Sequence, residues 1–220
     1  MIGDALRLVG SAQTNRDMEA ELTRIAGRAL GTRPPAPSRD GTGQLVYPWD
    51  EALARVARDD GLACQAIPEF LDETNVRSIV REGDVVLLAV DNHRARALVD
   101  RHLGSLDDAT LISGGNDETD GNVQLVRRRD GWSMDGHLTE IHPEIGLAAQ
   151  SDVMPGTGCA ALAAERPQLV VTNLMVASAM LNCLWAVTEQ GSVPSSEVYL
   201  DVVHNAARSR SWFRVPAGAQ

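Results

Sequence analysis

Hydrophobic and polar positions alternate along the chain in blocks, and the block at residues 84–98, DVVLLAVDNHRARAL, is the most sharply drawn. The run VVLLAV at residues 85–90 is too continuous for a half-exposed strand. It predicts a strand covered on both faces of a parallel sheet. The run stops at Asp91 and Asn92. Ala95, Leu98, Val99 and Leu103 then recur on one side at helical spacing, while Arg94, Arg96 and Arg101 mostly fall elsewhere. Asp91 therefore stands at the carboxyl end of a predicted central strand, where open α/β sheets present ligand-binding groups.

Around this block the pattern predicts a strand at 5–9 ending in Gly10, then an amphipathic helix over 17–30 through Met18, Leu22, Ile25 and Ala29. Residues 31–44, GTRPPAPSRDGTGQ, form a loop or linker, dividing a segment 1–44 from an α/β domain at 45–220. A helix through Leu53, Val56 and Ala57, a strand within 62–70 bent at Pro68, and a short helix through Val76, Ile79 and Val80 lead into the central strand. This alternation predicts parallel pairing with right-handed crossovers. Downstream come a strand at 109–113, a polar glycine-rich stretch GGNDETDGN, and a strand at 122–128 that belongs to a hairpin or sheet edge, with a partner at 131–134. Residues 135–158 show no clean period and read as a long crossover loop. The most apolar stretch, residues 169–187, is expected to be a core or subunit-interface helix rather than a membrane span, because Thr172, Asn173, Ser178 and Asn182 interrupt it. Strands at 198–203 and 212–215 close the chain. The expected fold class is α/β, with a Rossmann-like, mainly parallel sheet, helices on both faces and a mixed or antiparallel edge.

Composition narrows the chemistry. A net charge of −10 argues against a nucleic-acid-binding surface, which needs clustered basic groups. All 20 basic residues are arginine, so no lysine amine is offered for Schiff-base chemistry. Cys64, Cys159 and Cys183 are widely spaced and odd in number. They form neither a disulfide framework nor a CxxC zinc half-site, which fits a reduced, cytoplasmic compartment without structural zinc. The opening MIGDALRLVG carries no secretory pattern.

The segment DVVLLAVDNHRARALVDRH, followed by ATLISGGN and GNVQLVRR, resembles the second half of the ThiF/MoeB/HesA family, bacterial relatives of ubiquitin-activating enzymes. Upstream CQAIPEFLDETN and downstream GCAALAAERPQLVVTNLMVASAMLNCLW extend the resemblance over roughly residues 49–185. It implies binding of ATP and magnesium and adenylation of the C-terminal carboxylate of a ubiquitin-like protein or peptide. On that resemblance Asp91 holds the magnesium ion, Asn92 helps fix the turn, and His93 lines the same crevice. Arg94 and Arg96 are phosphate or carboxylate partners. SAQTNRD echoes a family segment in which an asparagine and an arginine approach ATP, which makes Asn15 and Arg16 their counterparts.

Plainer readings stand beside these. Asp91 and Asn92 are also common helix caps, and SAQTNRD also suits an N-cap for the helix at Asp17. His137 and His142, with Glu140 and Glu144 nearby, suggest a metal site or exposed loop residues, and Cys159 a thiol or a small packing residue. The departures from the family are definite: no GxGxxG precedes the Asp-Asn strand, and the lysine that the family carries near the phosphates, shortly after the segment echoed by SAQTNRD, has no counterpart. They favour a rival reading, a non-catalytic scaffold or partner subunit of a ThiF-like complex, homo- or hetero-oligomeric.

Overall fold

A computed structural model describes residues 6–10, 38–39, 45–46, 67, 69–90, 92–151, 169–191 and 193–214. Two compact units are distinguished, Met1–Ser11 together with Leu71–Gln220, and Ala12–Phe70. In the second, β2 (Ser38–Arg39) pairs antiparallel with β3 (Leu45–Val46). The helices expected at 17–30 and through Leu53, and most of the strand expected within 62–70, lie outside the described residues.

The first unit is organised by one sheet. Its strands are β1 (Leu6–Gly10), β4 (Val85–Ala89), β5 (Ala109–Asn116), β6 (Asp120–Arg129), β8 (Glu197–Asp201) and β9 (Ala206–Arg210), in the order β1-β4-β5-β6-β8-β9, with β7 (Trp132–Ser133) also beside β6. β1, β4 and β5 are parallel, and the sheet continues antiparallel from β6 outward. The α/β, Rossmann-like class is therefore present, with an antiparallel side that extends well beyond an edge.

Both faces of β4 are covered, as its unbroken apolar run requires. Val86 and Leu88 join Val99 and Leu103 of α2 (His93–Leu103), with Leu111, Val126 and Leu138. Val85 and Leu87 face the other way, joining Ile112, Val123 and Leu125 under Val176, Met180 and Cys183 of α5 (Val170–Trp185). Deleting any one of the larger of these side chains would cost about 2–5 kcal/mol. A short α1 (Val76–Ile79) precedes β4, held by a backbone bond from Val76 to Asp72.

Three stretches depart from the sequence pattern. The glycine-rich GGNDETDGN is not all turn: β5 and β6 run on through Gly114, Gly115 and Gly121, and the turn shrinks to Asp117–Thr119. Gly114 and Gly121 make room for α5, since a Cβ on Gly121 would lie 2.5 Å from Val176 and 2.9 Å from the Gly115 carbonyl. Residues 135–151 are not a loop. They hold α3 (Leu138–Ile141) and α4 (Pro143–Ser151), elements too short to show a period, with Pro143 in the first-turn position where its missing N–H costs nothing.

At the carboxyl terminus, Trp212–Arg214 is not a strand, and β9 forms instead from AARSR. β9 is mostly exposed and carries no apolar alternation. It is held through its backbone register on β8, after a turn in which Asn205 takes φ 48°. α5 continues as a π-helical turn, Ala186–Gln190, that ends on Gly191 in the left-handed conformation. α5 is not buried all round. Thr172, Val176, Met180 and Cys183 face the sheet, while Val170, Val171, Leu174, Leu181 and Trp185 are exposed.

Candidate functional site

Parallel strands place their carboxyl ends at one edge, and the register sets Gly10 of β1 beside Ala89 of β4 and Leu88 beside Ser113 of β5. Arg96, reaching back from the first turns of α2, closes this edge. Its Nη2 donates to the carbonyls of Val90 and Gly114, each at 2.7 Å, and its Nη1 to Ser113 Oγ at 3.1 Å. One guanidinium thus fixes the chain on leaving β4 to the far part of β5. Gly115 makes the approach feasible, because a Cβ there would sit 3.0 Å from both terminal nitrogens.

Asn92 is extended (φ −126°, ψ 141°), and its Oδ1 accepts from the Ala95 amide at 2.7 Å, so it caps α2. The capping reading of Asn92 is the one the geometry realises. His93 and Arg94 follow on the exposed side of the first turn, and Arg94 meets Glu73 at 3.4 Å with both side chains more than half exposed. Such a pair contributes about 0–1 kcal/mol. Asp91, Asn15 and Arg16 lie outside the described residues. Asn92 and Arg96 are therefore brought together at the strand ends, and Arg94 points its charge to a surface acid.

A polar row missed by sequence reasoning crosses the same face of the sheet as Arg96. The register aligns Ser113, Gln124 and Glu197 on neighbouring strands. Glu197 is 1 % exposed and accepts from His142 Nε2 at 2.7 Å, Trp212 Nε1 at 2.8 Å and Gln124 Nε2 at 3.3 Å. His142 Nδ1 meets Glu144 at 2.8 Å. Burial alone would raise the pKa of Glu197, but bonds from His142, Trp212 and Tyr199 outweigh it and hold the carboxyl below its ordinary range. The Glu197 bond, supported by Glu144, raises His142 against the opposing effect of burial. The available sequence signal was a glutamine and a glutamate at inward positions of strands. Its meaning depended on pairing across 73 residues, which no local period reveals.

His137 and His142 do not converge. His137 contacts Asp100 and Ser133, Glu140 pairs with Arg214, and among the described residues no group of three or more metal-binding side chains exists. Cys183 is buried, and burial pushes its thiol up, which suits packing rather than nucleophilic chemistry. Cys159 lies outside the described residues.

No family model and no curated protein matches the sequence. Solved structures do match in fold. E. coli MccB with ATP aligns at 15% identity and a TM-score of 0.53, covering 82% of this chain and 52% of that chain. E. coli MccB with succinimide aligns at 14% identity and 0.59, covering 99% and 66%. E. coli MccB with AMPCPP and selenomethionine MccA gives 13% identity and 0.58, covering 98% and 66%. The chain thus shares the MccB fold while spanning about half to two thirds of those chains.

Proposed function

We propose that this chain is a divergent ThiF-type protein associated with ATP-dependent adenylation or modification of a protein or peptide carboxylate. The observation that carries this reading is the strand edge itself. β1, β4 and β5 end together there, Arg96 locks two of them, and α2 begins with its first-turn amides at that edge, in a fold shared with structures of MccB that contain ATP or AMPCPP. A helix N-terminus beside glycine-lined strand ends suits phosphate oxygens. Asp91, between the anchored Val90 and the cap Asn92, is the residue that would hold magnesium, a hard cation suited to a carboxylate. In the proposed reaction a substrate carboxylate oxygen attacks the α-phosphorus and pyrophosphate leaves. The protein contributes alignment and fixed charge. Arg96 acts by positioning, since it already binds two carbonyls and a hydroxyl.

The rival, a non-catalytic partner subunit, draws support from the same guanidinium, from the absence of lysine and from the exposed apolar side of α5. Isothermal titration with Mg·ATP separates the two. The enzyme reading expects saturable heat that Asp91→Ala strips of its magnesium dependence. Absence of heat, alone and with a candidate peptide partner, favours the subunit. An unchanged magnesium response in Asp91→Ala rejects the assignment of Asp91.

A further inference from the structure

At the opposite end of the sheet, where β5 begins, three polar side chains form a line. Ser133 on β7 faces Arg128 of β6, which faces Ala109, the first residue of β5. Ser133 Oγ lies 2.9 Å from His137 Nε2, and His137 Nδ1 lies 3.1 Å from Asp100 Oδ1. Asp100 is 2 % exposed and also accepts from the Leu138 amide, the Thr139 amide and the Thr139 hydroxyl, at 3.0, 3.1 and 2.8 Å. Burial would raise its pKa, but the bonds from His137 and Thr139 prevail and keep it below the ordinary range. A carboxylate so placed requires the ring proton on Nδ1, which leaves the Nε2 lone pair to the serine hydroxyl. Arg128 Nη1 donates to that hydroxyl oxygen at 2.8 Å, so the serine proton is directed at the imidazole. Arg128 is itself fixed by the carbonyls of Leu106 and Gly131.

We propose that Ser133, His137 and Asp100 form a Ser–His–Asp relay that accepts an acyl group from a small activated ester, at a site separate from the Arg96 edge. The three roles match those of nucleophile, base and orienting acid recognised by geometry on unrelated folds. Asp100 also ties α3 to α2 through the two amides. That tether does not require the far ring nitrogen to meet a hydroxyl, or a guanidinium to stand against the hydroxyl oxygen. Ser133 is 8 % exposed, which restricts the acyl group to a small one. In the reaction Ser133 Oγ bonds to the ester carbonyl carbon, and His137 takes the hydroxyl proton. Arg128 stabilises the oxyanion, the carbon–alkoxide bond breaks, and His137 returns the proton to the leaving alcohol. Water then repeats the sequence to release the acid.

p-Nitrophenyl acetate tests this on the full chain. A burst of nitrophenolate is expected, with one acetyl group found on Ser133 by peptide mass mapping. Ser133→Ala abolishes both, Ser133→Cys retains acetylation, and His137→Gln slows both the burst and the acetylation. Asp100→Asn lowers the rate by up to about 10⁴-fold, but it also loosens α3, so Ser133→Ala decides the matter. An unacetylated wild-type protein, or a Ser133→Ala variant acetylated at the wild-type rate, overturns the proposal.

Discussion

Glu197 and His142 show how a single buried acid organises its surroundings. The folded pKa of His142 lies above its ordinary 6.5, so its contribution to stability is complete below pH 6.5 and declines as pH climbs through the raised value. The folded pKa of Glu197 lies below 4.5, so its contribution is complete above pH 4.5 and is lost as pH falls through the lowered value. Stability from the pair is therefore greatest between these limits. Urea denaturation as a function of pH should show an alkaline decline that Glu197→Gln flattens; an identical decline in that variant would exclude the pair as its source. At this scale the sequence was only partly legible. Asn92 was readable as a cap because capping is local, three residues from donor to acceptor. The bonds of Arg96 to Val90 and Gly114, spaced 6 and 18 residues away, became visible only once two strands lay side by side.

Among the elements, β4 and α2 were legible because burial on two faces and on one face leave different periods in the sequence. α3 and α4 were not, since four and nine residues give too few repeats to register. Gly114 and Gly121 of the β5–β6 hairpin lie where α5 comes close to the sheet, while Gly115 lies against Arg96. Gly121→Ala would drive a methyl into Val176 and the Gly115 carbonyl, a clash that outweighs the smaller gain from restricting the unfolded chain. The expected loss is about 1–3 kcal/mol in chemical denaturation. Gly146→Ala is the contrasting case. It lies within α4, its nearest neighbour would be Thr139 Cγ2 at 3.8 Å, and a gain of up to about 1 kcal/mol is expected. Equal effects of the two substitutions would contradict this account of the hairpin glycines.

For the whole molecule, the outer side of α5 presents an exposed apolar face. Val170–Gln190 is long and apolar enough to cross a membrane, but one side of it packs on β5 and β6, and the other exposes Leu174, Leu181 and Trp185. Contiguous exposed apolar surface of this kind commonly marks an interface. It fits the subunit-interface role expected for residues 169–187, and a second copy of the chain is the partner that sedimentation tests. In sedimentation velocity the wild type should run as a dimer, and Leu174→Glu with Leu181→Glu should run as a monomer with unchanged circular dichroism. A monomeric wild type would remove this reading.

Three buried acids, Asp100, Asp135 and Glu197, carry a further consequence. Each fastens a segment that lies outside the strands, and Asp135 also grips Arg127 of β6. Asp100 holds the start of α3, Asp135 holds Ser196 and Arg127, and Glu197 holds Trp212 and the junction before α4. Ser196 in turn receives the Trp212 amide, and Arg127 lies against the Phe213 ring. Asp100 and Glu197 are held below the ordinary carboxylate range by these bonds, so acidification through the lowered values would loosen the start of α3 and the hold on Trp212. Limited proteolysis at falling pH should then cut near these attachments before the hydrogen-bonded amides of β4 and β5 lose their protection from exchange.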